Sequence, residues 1–99
     1  MKIIWSPLAI TRIDEIADYI SSDSPQAARK WVDDIFQKVE RLEDFPSSGR
    51  VVPELDRKDI REIFYGHYRI IYRTTSDEIS ILTIRHQKQL LPITEIKNK

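Results

Sequence analysis

Six basic side chains in the second half of the chain, Arg61, Arg69, Arg73, Arg85, His86 and Lys88, carry most of the chemistry the sequence offers. An arginine presents a planar fork of donors that grips phosphate or carboxylate through paired hydrogen bonds. Arg61, Arg69 and Arg73 therefore suit an acidic partner segment or nucleic acid, and equally suit local ion pairs with Glu54 or Glu62. His86 follows an apolar run and stands beside Arg85 and near Lys88, a setting that fits a general acid or base working on phosphoryl groups. The same setting fits a structural hydrogen bond or a partner contact, because no second catalytic group is visible near it. His67 lies between two strand-like runs and reads as a turn residue. With no phosphate-binding glycine loop and no cluster of metal-ligating residues, neither cofactor nor metal is expected.

Charge is divided unevenly along the chain. Sixteen Lys and Arg balance sixteen Asp and Glu over 99 residues. Residues 1–45 hold six basic against nine acidic side chains, and residues 46–99 ten against seven, so the halves stand at −3 and +3. The split favours an acidic partner on the C-terminal half, while overall neutrality argues against nonspecific nucleic-acid binding as the main activity. A composition with 40% hydrophobic residues, two glycines and no cysteine is that of one ordinary globular domain without disulfides or thiolate metal sites. The apolar stretch Ile3 to Trp5 is too short for a signal-peptide core, and no run approaches a membrane span, so a cytoplasmic protein is expected.

The elements that must position these groups are legible from local signals. Lys2 to Trp5 reads as a strand, and Ser6-Pro7 as an N-cap followed by proline at the first helical position. Ala9, Ile13, Ile16, Ala17 and Ile20 then recur on one helical face. Ser24-Pro25 repeats the start signal after Ser21-Ser22-Asp23, so an αα-hairpin is expected. In the second helix, Ala28, Trp31, Val32, Ile35, Phe36, Val39 and Leu42 form the apolar arc, which spans residues 25–44. Pro46 and the turn residues up to Gly49 end it, and an extended Val51 to Leu55 segment follows as an ordered loop. Three strand-like runs close the chain: Ile60 to Tyr65, Tyr68 to Thr74 and Glu78 to Arg85. Alternation places Tyr68, Ile70 and Tyr72 on one face of the middle run, and Arg69, Ile71 and Arg73 on the other. The expected fold is α+β: an N-terminal strand, then a helical hairpin packed on one face of a mainly antiparallel sheet. One domain over residues 1–95 is expected, with a polar tail at 96–99.

Particular strings within this order are more specific than the order itself. Trp5-Ser6-Pro7-Leu8-Ala9, Phe45-Pro46, and Gly49-Arg50-Val51-Val52-Pro53-Glu54-Leu55 come first. Ile60-Arg61-Glu62, Tyr68-Arg69-Ile70-Ile71-Tyr72-Arg73, and the run from Ile81 through His86 to Leu91 follow. Together they resemble the RelE/ParE toxin superfamily over residues 3 to 92. The resemblance implies the toxin of a type II toxin-antitoxin system, growth-inhibiting and of the kind that stabilises plasmids, with a cognate antitoxin as partner in a hetero-oligomer.

RelE-like members of that superfamily cut messenger RNA on the ribosome, and ParE-like members poison DNA gyrase. The Tyr68-Arg69 string resembles RelE's, which makes Arg69, beside His86, a candidate catalytic residue. The other positions depart: Ile60 and Glu62 stand where RelE has lysines, Gln89 where it has arginine, and no tyrosine follows Tyr72. RNA cleavage without metal needs groups that move protons and cations that stabilise the developing charge, and most of that set is missing. The His86 segment instead resembles the C-terminal His-x-Arg string of ParE-like proteins, with Lys88 in place of arginine. The expectation is a ParE-like gyrase inhibitor that is not an enzyme. An mRNA endonuclease, and a non-toxic antitoxin-binding module of the same fold, are the alternatives.

Overall fold

The computed structural model describes residues 1–89, 91, 92, 95 and 96. Both helices begin where serine precedes proline. Strand β1 (Lys2–Trp5) runs into helix α1 (Pro7–Ser21), where the Ser6 hydroxyl accepts the Ala9 N–H at 3.0 Å and donates to the Leu82 carbonyl at 2.8 Å. One side chain thus caps the helix and ties it to the sheet. Ser24 caps α2 (Pro25–Glu40) in the same way, accepting from Ala27 at 3.1 Å. The apolar arc extends past the α-helix into a 3-10 turn, Arg41–Glu43, which buries Leu42. The tightening precedes Pro46, which disfavours helical backbone before it.

Five strands form one sheet in the order β1-β5-β4-β3-β2, with β2 at Arg50–Val51, β3 at Ile60–Tyr65, β4 at Tyr68–Thr74 and β5 at Glu78–His86. Strands β3, β4 and β5 form an antiparallel meander, and β1 lies parallel to β5. Gly66 takes φ +58° as the first of the two residues between β3 and β4, as a type II′ hairpin requires. The fold is therefore the α+β arrangement expected from the sequence.

Helices α1 and α2 cover one sheet face. Ile13, Ile35 and Val39 are buried there against Ile70, Tyr72, Ile81 and Ile84. The opposite face holds a second apolar cluster: Ile60, Ile71 and Leu82 lie under Val52 and Leu55 of the loop and under Leu91 and Ile96. A shift of register between Ile71 and Tyr72 leaves Leu82 as an extra residue of β5, and it joins this second cluster. Ile96, assigned to the tail by the sequence reading, is buried, so the packed chain reaches it. The remaining tail positions, 97–99, lie outside the described residues.

The loop between the helices and the meander is stapled from below. Tyr72, fully buried, donates its hydroxyl to the Pro46 carbonyl at 2.9 Å and accepts the Gly49 N–H at 3.0 Å. A Cβ at Gly49 would lie 2.6 Å from both the Glu62 carbonyl oxygen and the Tyr72 hydroxyl. Neither neighbour is the free end of a flexible chain. Gly49→Ala is thus expected to destabilise the domain by about 1–3 kcal/mol through overpacking, measured as a lower urea midpoint at unchanged slope. An unchanged midpoint would show that the loop moves aside without cost.

Candidate partner-binding site

The hairpin turn after β3 and the end of β5 meet at one end of the sheet, because Tyr68 pairs with His86 across β4 and β5. Four rings gather there. Trp31 of α2 meets Tyr68 edge-on at 5.4 Å, Tyr68 meets His86 edge-on at 5.7 Å, and His67 stacks on His86 at 5.9 Å with 13° between the planes. The Lys88 N–H donates to His86 Nδ1 at 3.2 Å. A neutral His86 ring therefore carries its proton on Nε2 and offers a donor there. Such a ring is better suited to contact an acceptor than to abstract a proton.

Beside the rings opens a cleft of about 430 Å³, bounded by Arg12, Tyr19, Tyr68, Arg85, His86 and Gln89. Arg12 and Tyr19 belong to one stripe of α1, seven residues apart, and Tyr19 is the most exposed large apolar side chain among the described residues, at 77%. Burial raises the Tyr68 hydroxyl above its ordinary range, so it remains a protonated donor. Two of the bordering arginines, Arg12 and Arg85, are joined by a clamp from the end of the chain. Glu95 accepts from Arg85 at 2.8 Å and from the Thr83 hydroxyl at 2.8 Å, and pairs with Arg12, which also reaches Glu15 at 2.8 Å. Burial pushes the Glu95 carboxyl up, but Arg12, Thr83 and Arg85 outweigh it and hold the group below its usual range.

The six basic residues singled out in the sequence do not share one surface. Arg85 and His86 border the cleft, and Lys88 adjoins His86 through its backbone N–H. Arg69 lies under the second face, 5% exposed, with Nη1 and Nη2 each 2.9 Å from Glu54 and Nε 2.7 Å from Glu62. All three of its nitrogens are committed inside the fold. Arg61 points to the helical side and donates to the Gly49 carbonyl at 2.9 Å. Arg73 is on the Arg69 face but pairs with Ile60 and Ser80, five residues along β4 from Tyr68, about 16 Å at strand spacing. Sequence reasoning missed Arg12, Tyr19, Tyr68 and Glu95. The stripe of Arg12, Glu15, Ile16 and Tyr19 at i, i+3, i+4 and i+7 was the signal available for the first two.

This geometry can now be set beside known proteins. Residues 3–91 match the family described as the ParE toxin of the type II toxin-antitoxin system parDE. The chain belongs to the ParE toxin family. It is 38% identical over 93 residues to a protein of Sinorhizobium fredii named as a candidate toxin, Y4kP, covering 92% of this chain and 93% of that one. It also superimposes on a chain of the chromosomal ParDE toxin-antitoxin system of P. aeruginosa with a TM-score of 0.71 and 27% identity, over 87% of this chain and 95% of that one. This ParE-type toxin thus carries the fold and the His86 segment within the matched span. Glu95, the centre of the clamp, lies beyond residue 91, where the match ends.

Proposed function

We propose that this ParE-type toxin arrests growth by inhibiting DNA gyrase through the end of the sheet that holds Arg85 and His86, at the cleft, and Lys88 beside them, and that a cognate antitoxin neutralises it in a hetero-oligomeric complex. The observation that carries the reading is the state of Arg69. It is the one position retained from the RelE set, and its guanidinium is held by Glu54 and Glu62 within the fold. A cation so engaged is poorly placed to meet a phosphate in transit, and a ring whose Nε2 bears the proton is poorly placed to take one from a ribose hydroxyl. The same groups serve well in a contact surface, where exposed donors, aromatic rings and arginine dominate binding energy. An α-helical hairpin with exposed Tyr19 beside that surface offers an apolar anchor for either partner.

Induction without antitoxin tests the reading. Growth should stop with DNA-damage signalling and gyrase-linked double-strand breaks, while messenger RNA ends stay unchanged. Codon-phased cleavage of ribosome-bound messages would instead make the protein an endonuclease, and continued growth at full expression would make it a binding module.

A further inference from the structure

Three donors, two of them from residues that border the cleft, converge on one carboxylate. Glu95 Oε2 accepts from Arg12 and, at 2.8 Å, from Arg85 Nη1, while Oε1 accepts the Thr83 hydroxyl at 2.8 Å. Arg12 comes from α1, and Thr83 and Arg85 leave β5 on one face because they stand two residues apart. Thr83 is fully buried, and only 10% of the Glu95 side chain is exposed. Arg12 Nε and Arg85 Nε are buried too, and among the described residues neither has a hydrogen-bond partner. Each guanidinium thus keeps a donor that Glu95 does not use. The backbone around Glu95 ties it down lightly. Its N–H donates to the Pro92 carbonyl at 3.0 Å, within its own turn. Among the described residues no backbone-to-backbone hydrogen bond joins residues 92, 95 or 96 to the sheet or the helices. The neighbouring anchor is Ile96, buried in the second cluster. Arg12, Thr83 and Arg85 lie within the span matched to the ParE family, and Glu95 beyond it.

We infer that Arg12, Thr83 and Arg85 form a carboxylate receptor filled by the chain's own Glu95, and that an acidic side chain of the protein docked at the cleft takes the place of Glu95. Shape supports a carboxylate, since one oxygen takes both guanidinium groups and the other the hydroxyl. Charge supports it as well. Arg12 and Arg85 face Glu15, which Arg12 holds at 2.8 Å, and Glu95, so the closed arrangement is balanced. Without Glu95 one positive charge is left over, which a single carboxylate cancels and a phosphate dianion overshoots. While Glu95 is in place, the receptor is open in only a fraction of the molecules. Apparent affinity for the incoming group falls by that fraction, so Glu95 sets how tightly the toxin docks without touching its partner. The inference rests on the gyrase reading for the identity of that partner, and on the clamp alone for the receptor.

The probe is acetate, added to about 0.5 M to the full-length wild type, to Glu95→Ala, and to Glu95→Ala with Arg12→Ala, each against chloride of equal ionic strength. Reading every thermal midpoint relative to chloride, and each variant relative to wild type, removes the general effect of salt. Glu95→Ala should gain about 4 °C more from acetate than wild type, as a small ligand of the folded receptor would give. The gain should vanish in the double variant. If Glu95→Ala does not fold, Glu95→Gln must show the Nε–H NMR signals of Arg12 and Arg85 moving with acetate while those of wild type stay in place. No gain, an equal gain in wild type, or a larger gain from phosphate would overturn the receptor. In gyrase supercoiling, Glu95→Gln should inhibit at a concentration about threefold or more below that of wild type, because the internal competitor is weakened. Equal or poorer inhibition would overturn the exchange. If neither protein inhibits gyrase while acetate stabilises Glu95→Ala, the gyrase reading falls with the exchange built on it, and the receptor stands.

Discussion

Replacing Arg69 with alanine is expected to lower folding stability by about 3–5 kcal/mol, the cost of breaking a buried ion pair by removing one partner. Glu62 is 1% exposed and Arg69 is 5% exposed, so neither is rescued by water. After the substitution Glu62 keeps Arg50 at 2.6 Å, and Glu54 loses both of its 2.9 Å contacts to the guanidinium. Because Glu54 also accepts the Leu91 N–H at 3.3 Å, the loss spreads to the segment that covers the second cluster. A domain of this size has a total stability of about 5–15 kcal/mol, so a large part would disappear. Arg69→Lys should fall between, since one ammonium cannot replace a fork that serves two carboxylates. Urea unfolding reads the effect, and a loss below about 1 kcal/mol would show that exposed Arg50 suffices for the network. Loss of toxicity in Arg69→Ala would therefore report on folding before chemistry.

Acid adds a second reading of the same network. The Arg69 guanidinium holds Glu54 down at about 2, from an ordinary value of 4.5. A carboxylate whose folded pKa is depressed binds fewer protons folded than unfolded. Its contribution is complete above 4.5 and is lost as pH falls from there through about 2. The wild-type protein should accordingly lose stability across that window, and the loss should shrink in Arg69→Ala, where the cause of the depression is gone.

What was legible in the sequence was what local chemistry decides. Ser6-Pro7 and Ser24-Pro25 mark helix starts because cap and first turn are neighbours in the chain, and Gly66-His67 fixes the β3–β4 register because a two-residue hairpin leaves few choices. That register brings Glu62 near Arg69 on a diagonal, so the ion pairs with Glu62 and Glu54 were among the readings open from the start. The parallel pairing of β1 with β5 joins Lys2 to Glu78, and no local signal spans that distance. The second core was hidden for another reason. Val52, Leu55, Leu91 and Ile96 are scattered apolar residues in loop-like stretches, without the periodicity that announces a buried face. Glu95 was invisible as a partner of Arg12, since the contact links the first helix to the end of the chain.

The double substitution His86→Ala with Lys88→Ala is expected to weaken inhibition of gyrase supercoiling by about 30-fold or more, the loss that accompanies removal of a binding hot spot worth about 2 kcal/mol. Lys88 is exposed and His86 half-buried, and both stand outside the two apolar clusters. Losing the ring contacts of His86 should cost the fold only about 1 kcal/mol, too little to unfold the domain. Stability and inhibition should thus separate here, as they should not for Arg69. His86→Gln is the informative partner variant, since its side-chain amide restores a donor near the Nε2 position and should recover part of the inhibition. Lys88→Arg, which restores the fork usual at this place in ParE-like strings, should match or exceed the natural residue. Full inhibition by the folded double variant would take the gyrase contact away from this end of the sheet, because that variant lacks both the donor on Nε2 and the charge beside it.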